Sequence, residues 1–315
     1  MARNYHPDDD LVHNADGDPA FQDSHWLMWY DTDHGIGGFH RLGVNPARES
    51  AAFMCGVVTR AGDRFRALDW SVPWAASTGR GYVVSDAQRL ILDDGLWQLK
   101  VRDRECDADL IWHGWGPMLF YGAQATTSTA HYEGAGTVTG TVRLGSDRYE
   151  VNALAFRDRS WGPRDYLAVL AHRWFAGTFG ADLSFSAMTI LLPDGHLHRD
   201  GIVIRDGRVH CARDVDIVIR QEADGFSNRG GTLRLGFADA EDFVVEAAAI
   251  DGIAFGLPGG LGYTVETMCV ANAEGRQGFC NVEATNNIHR AIASDSSVPL
   301  SIGAAVDDGL TRRAT

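Results

Sequence analysis

The sequence predicts an all-β protein made of two antiparallel β-barrels, and three observations carry that prediction. Helical periodicity is nearly absent. Short alternating or apolar runs recur along the whole chain, separated by turns that contain glycine. There are about sixteen such runs, too many for one open sheet but natural for two closed or nearly closed barrels.

In chain order the first half offers "HWLMWYD", "GGFHRLGV", "AAFMCGVVTR", "GYVVSD", "RLILDD", "LWQLKVRD", "GTVTGTVRL" and "YEVNALAFRD" as strands. The second half offers "RWFAGTFG", "LSFSAMTILL", "GIVIRD", "VDIVIRQ", "TLRLGF", "FVVEAAAI", "YTVETMCVA" and "FCNVEAT". Between them, "RAGDR", "DDGL", "GSDR", "PDGH", "RDGR", "EADG" and "NRGG" read as hairpin connections, with glycine where positive φ is needed. Strand density is similar in both halves of the 315 residues, and no linker marks a boundary. The division is expected near residue 170, giving an N-terminal barrel over 1–170 and a C-terminal barrel over 171–315. The ends, 1–20 and 303–315, are expected to be loosely ordered.

Charge and composition narrow the function classes. With 42 acidic against 28 basic residues the net charge is -14, a field that repels phosphate backbones and excludes nucleic acid as a partner. No segment approaches the roughly 18 apolar residues of a membrane helix, so stable membrane insertion is not expected. "MARNYHPDDD" lacks the apolar stretch of a secretory signal. Five dispersed cysteines without a Cys-x-x-Cys pair point to reduced thiols in a cytoplasm. No nucleotide or flavin fingerprint is present, and "GLPGGLG" at 256–262 lacks the helix and lysine of a phosphate cradle. His196 and His198 share a hairpin face without a third ligand. Neither a cofactor nor a metal is expected.

The densest chemistry lies in "FRDRSWGPRDY", residues 156–166. On a strand, Phe156, Asp158 and Ser160 share one face, and Arg157, Arg159 and Trp161 share the other. The stretch therefore sets an acid against a cationic, aromatic opposite face. The competing reading is an ion pair of Asp158 with Arg164 or Arg159 that ties the two barrels together.

"YEVNALAFRDRSWG" resembles the segment that ends in the Asp-His-x-Trp-Gly motif of the AttH-like, carotenoid hydratase-like double lipocalin family, which includes kievitone hydratase and lipocalin-like Diels–Alderases. "HYEGAGTVTGTVRLGSDRYEV" resembles the hairpin before the motif and "HRWFAGTFGADLSFSAMTI" the strand pair after it. "HWLMWYD…GGFHRLGVNP" and "GFCNVEATNN" resemble the opening and closing strands. Asp158, Trp161 and Gly162 match the motif strictly, and Arg159 stands where the family has histidine. A guanidinium only donates hydrogen bonds, so a mechanism using that histidine as acid or base does not carry over.

The resemblance implies two packed lipocalin-like barrels and a cofactor-independent lyase or isomerase. Its substrate would be a hydrophobic terpenoid, polyketide or prenylated aromatic molecule. The reaction expected is hydration of a carbon–carbon double bond, or the reverse. A pericyclase that orders its substrate by shape, and a carrier without turnover, are the alternatives, and a homodimer is open.

Hydration requires a carboxylic acid whose pKa is raised by burial and an aromatic face for the developing cation. Asp158 is the leading acid and Trp161 the leading π face. Asp182 in "FGADLSF" is a second carboxylate candidate, or a residue capping the hairpin. His172, on one face with Trp174, is a candidate base or a hydrogen-bonded core histidine. Glu283, acidic among apolar neighbours, is expected to have a raised pKa or to be a paired interior charge. Arg159, Trp174, His25, Trp29 and Tyr30 complete the expected substrate wall, with core packing as the competing reading for the last three.

Overall fold

The computed structural model describes residues 5–74, 82–83, 87–93, 96–116, 119–120, 128–165, 168–221, 227–257, 262–286 and 311–313. The expected turns at 93–96 and 222–225 and the loop at 256–262 lie partly or wholly outside these. The chain divides into two compact units, Met1–Asp165 and Tyr166–Thr315.

The first unit contains β1 (Phe21–Asp31), β2 (Ile36–Asn45), β3 (Ser50–Thr59), β4 (Arg64–Pro73), β5 (Tyr82–Val83) and β6 (Gln88–Asp93). It continues with β7 (Leu96–Arg102), β8 (Cys106–Gly114), β9 (Leu119–Phe120), β10 (Ala130–Leu144) and β11 (Asp147–Pro163). The strand order is β4-β3-β2-β1-β11-β10-β8-β7-β6-β5, with β9 on β10.

The second unit contains β12 (Ala171–Gly180), β13 (Leu183–Leu191), β14 (Leu197–Arg205), β15 (Arg208–Cys211) and β16 (Asp214–Gln221). After these come β17 (Asn228–Gly236), β18 (Phe243–Gly256), β19 (Tyr263–Ala273), β20 (Arg276–Asn286) and β21 (Thr311–Arg313). Its order is β15-β14-β13-β12-β20-β19-β18-β17-β16, with β21 added in parallel to β16.

The two frames correspond over most of their strands. In each, the first strand pairs with a late one, β1 with β11 and β12 with β20, and apart from β21 on β16 the other neighbours follow in sequence or across a short excursion. These are two lipocalin-like antiparallel barrels of the same topology. Long meanders with sequential pairing curl because each twisted strand rotates against the next.

Alternation decides which residues enter each barrel. In the first, Leu27 and Trp29 of β1 join Val151, Ala153 and Ala155 of β11 and Val138 and Val142 of β10 in one buried cluster. In the second, Phe175 and Phe179 of β12 join Phe185, Val203, Ile217, Leu233, Val245 and Val282. The opposite faces of the central strands are buried too: Trp26, Met28, Phe39 and Phe156 in the first unit, Trp174 and Met188 in the second.

One turn departs from expectation. "NRGG" is no hairpin but part of β17, where Gly230 has φ +93. A Cβ there would lie 2.1 Å from the Ala247 carbonyl oxygen, so only glycine fits the close approach. Gly162 of the Trp-Gly motif has φ +133, and a Cβ on it would lie 2.3 Å from the Thr129 nitrogen. The motif glycine is thus required by backbone packing.

The N-terminal segment is ordered from residue 5 rather than loose. A 3-10 turn at Pro7–Asp10 buries Asp9 and Asp10. The reason is charge: Arg157 and Arg159 are buried inside the first barrel, and the acidic run supplies partners. Arg157 pairs with Asp10 at 3.1 Å, and Arg159 donates to the carbonyls of Asp9 at 3.1 Å and Leu11 at 2.6 Å.

Candidate functional site

In the second barrel, the outward face of β12, β20 and β19 carries a cross-strand row. Trp174 lies opposite Glu283 in register, and Glu283 lies opposite Glu266. His172, two residues before Trp174 on the same face, places Nδ1 3.1 Å from Glu283 Oε1. Thr285 donates to Glu283 Oε1 at 2.5 Å. Thr264 donates to Glu266 Oε1 at 3.2 Å, and the Asn281 amide to Glu266 Oε2 at 2.6 Å. The Trp174 indole nitrogen donates to Ser186 at 3.0 Å, which fixes the ring.

Two adjacent carboxyls in one buried row cannot both ionise cheaply. Burial, then the Glu283 charge, pushes the Glu266 carboxyl well above the ordinary glutamate range. For Glu283 burial acts in the same direction, but His172 and the hydroxyl donors outweigh it and hold its pKa down. Of the two readings of Glu283, the structure shows the paired interior charge, held by His172; the raised acid is its cross-strand neighbour. His172 is the most open member of the row, with a quarter of its side chain exposed against 14% for Glu283.

The first barrel carries the corresponding row on β1, β11 and β10. Trp26 lies opposite Asp158, and Asp158 opposite Glu133. His131, two residues before Glu133, contacts Asp158 through Nε2 and lies 3.3 Å from Glu133 Oε1. Burial disfavours the charged His131 ring, but Asp158 and Glu133 outweigh it and raise its pKa.

The strand alternation expected for 156–161 is observed, and it corrects the pairing of Asp158 with Trp161. Trp161 faces the barrel end, stacked on His13 at 3.9 Å with Arg159 5.3 Å from its centroid. The tryptophan beside Asp158 is Trp26. Neither expected arginine partner of Asp158 holds. Arg159 ion-pairs with buried Asp23, and Arg164 donates to Ser160 at 2.7 Å. Arg159 is also corrected as a substrate contact, since its donors go to Asp23, Asp9, Leu11 and Ser24.

The remaining expected residues scatter. His25 and Trp29 face into the first barrel, His25 against Trp97 at 4.4 Å and Trp29 donating to His40 at 3.0 Å. Burial, then Arg157, keeps His25 well below the usual histidine pKa. Tyr30 points the other way, where its hydroxyl accepts from Arg60 at 3.0 Å. Asp182 caps an exposed hairpin tip and binds Arg276 through both oxygens, at 2.6 and 2.8 Å. His172, Trp174 and Glu283 are brought together in one row, and Arg159 lies over Trp161 elsewhere.

Glu266, His131, Glu133 and Trp26 are the residues that the sequence reading missed. Glu266 had one signal: it is the sole charged residue of the strand Tyr263–Ala273.

The chain matches the family model described as Domain of unknown function (DUF7064) over residues 6–288, and it belongs to that family. No curated protein matches it in sequence. Solved structures share its fold. A protein of Nitrosomonas europaea assigned as AttH matches with TM-score 0.68 at 14% identity, over 91% of this chain and 98% of that one. Kievitone hydratase from Nectria haematococca matches with TM-score 0.63 at 10% identity, over 90% and 93%. CghA, crystallised with Sch210972, matches with TM-score 0.61 at 11% identity, over 84% and 88%.

Proposed function

We propose that this protein is a cofactor-independent lyase or isomerase that hydrates a carbon–carbon double bond of a hydrophobic substrate, or removes water from the product. The observation that carries the reading is the Glu266–Glu283 pair, whose environments push the two pKa values apart and so divide them into acid and base roles.

In the hydration direction, the Glu266 carboxylic acid gives its proton to one alkene carbon and becomes a carboxylate. Positive charge develops on the other carbon, for which the Trp174 face is a stabilising surface. Water adds to that carbon and loses a proton to His172, held in orientation by Glu283. Return of the proton from His172 to Glu266 through Glu283 restores the starting state. Dehydration runs the same steps backwards.

A terpenoid, polyketide or prenylated aromatic substrate suits this chemistry because a tertiary carbon bears the charge best. The hydratase among the structural relatives supports the reaction class through fold alone. The free cysteines Cys55, Cys106, Cys211, Cys269 and Cys280 suit a reducing cytoplasm.

The test incubates the protein with a panel of prenylated phenols and terpenoid alkenes in isotope-labelled water. Products gaining one labelled water with the wild type, and none with Glu266→Gln, support the reading. Equal label uptake by a folded Glu266→Gln overturns it.

A further inference from the structure

The two outward rows share one register but differ in the groups that surround their acids. In the second barrel, Thr264, Thr285 and Asn281 donate to the carboxyls. The positions matching these in the first barrel, counted from the cross-strand pair Asp158–Glu133, hold His131, Ser160 and Phe156. A phenyl ring replaces the amide, the Ser160 hydroxyl accepts from Arg164, and an imidazole replaces a hydroxyl. The first row therefore exchanges neutral hydrogen-bond donors for a third metal-ligating group.

We propose that His131, Glu133 and Asp158 form a binding site for a first-row divalent cation of the Zn2+ or Mn2+ kind. The three groups offer one nitrogen and two carboxylate oxygens, all within 4.8 Å of one another, and His131 and Glu133 are buried. One imidazole and two carboxylates suit a borderline cation better than Mg2+ or Ca2+, which take all-oxygen sets. Two ligands on one tetrahedral Zn2+ with bonds of about 2.0–2.1 Å lie roughly 3.3 Å apart. The His131–Glu133 separation is 3.3 Å, so that edge is already set. Asp158 now touches His131 directly, and a cation between them requires only a swing of its carboxylate.

Charge favours the same occupant. The row holds two acids on adjacent strands, and a dication balances both where a protonated imidazole balances one. Arg164 lies close enough to act on His131 and weakens the site without filling it. Placement on β10 and β11 keeps the ligands on paired strands, with His131 and Glu133 at i and i+2 on one face. This site differs from the His196–His198 hairpin, where two rings sit 4.5 Å apart.

The experiment titrates the full chain, stripped with chelator, with ZnCl2 by calorimetry. One equivalent per chain is expected. His131→Ala and Glu133→Gln should each weaken it at least tenfold, and the double variant His196→Ala/His198→Ala should retain it. Absence of binding, binding unchanged in His131→Ala and Glu133→Gln, or loss in the hairpin double variant overturns the proposal. In the wild-type chain, Mn2+ should broaden amide resonances around residues 131, 133 and 158 before all others. Broadening centred on the hairpin at 196–198 overturns it without any variant having to fold.

Discussion

The two barrels share most of a strand order and each holds an apolar core, but they differ in what else they bury. The first encloses charge beside its apolar cluster: Asp10, Asp23, His25, His40, Arg157 and Arg159 are all buried within it or at its end. The second is filled by Leu170, Phe175, Phe185, Ile217, Leu233 and their neighbours, with Arg173 as its buried cation. The lesson is that a meander of this kind is specified by alternation and turns, and its contents are a separate choice.

That difference bears on three of the tryptophans, Trp97, Trp112 and Trp161, which lie against buried arginines. Eight of the nine lie before residue 165, and Trp174 is the other. Buried guanidinium groups need surroundings that compensate lost water, and aromatic faces do so in part. Arg157 lies 5.6 Å from the Trp97 centroid, 5.9 Å from Trp112 and 5.6 Å from Tyr132. In the second barrel the buried Arg173 guanidinium is met instead by the His172 and Thr285 carbonyls and the Asn286 side chain.

The largest expected effect falls on the second row. Glu266→Gln should lower turnover by about 10²- to 10⁴-fold, the usual contribution of a positioned proton donor, read by product formation in a variant with wild-type circular dichroism. Glu133→Gln, at the matching register position of the first row, should show its loss in cation affinity instead. Equal turnover losses with no cation effect would dissolve the distinction between the rows.

Next comes the interior charge of the first barrel. Arg159→Leu removes the guanidinium from buried Asp23, leaving it His13 at 3.0 Å, and should cost up to about 3–5 kcal/mol by denaturant unfolding. The exposed Arg205–Glu274 pair of the second barrel sets the other end of the scale. Glu274→Ala should cost roughly 0–1 kcal/mol.

Proton linkage should separate the barrels by sign. Burial raises the Asp10 pKa, but Arg157, His25 and the Tyr132 and Tyr5 hydroxyls hold it down to about 2. Its contribution, on the order of 2 kcal/mol, is present above the unfolded value near 3.8 and is lost as pH falls towards 2. Glu266 has the reverse linkage. Its folded pKa is raised, so its contribution is full below about 4.5 and is lost as pH rises through the folded value. Hydrogen exchange resolved by barrel should show Asp10→Asn flattening the acid limb of the first and Glu266→Gln the alkaline limb of the second.

Much of the frame was legible because period-two alternation is local. The faces of 156–161 and the shared face of His172 and Trp174 followed from it directly. Partners across strands did not. β1 pairs with β11 across 136 residues at Ser24 and Ser160, so nothing near Asp158 announced Trp26. Likewise His131 and Glu133 sat in a hairpin segment that was visible only as a hairpin. Glu283 was singled out for its apolar neighbours, but whether such an acid is raised or lowered depends on the group opposite it. Arg159 shows the same limit: the sequence marked the exchange of histidine for arginine, and the fold assigned that arginine to Asp23 and the N-terminal turn.

The most direct test is infrared or carbon-13 NMR titration of the glutamate carboxyls. One glutamate should remain protonated through the range in which the ordinary ones ionise, and its signal should vanish in Glu266→Gln. Ionisation of every glutamate in the ordinary range would contradict the proposed proton donor.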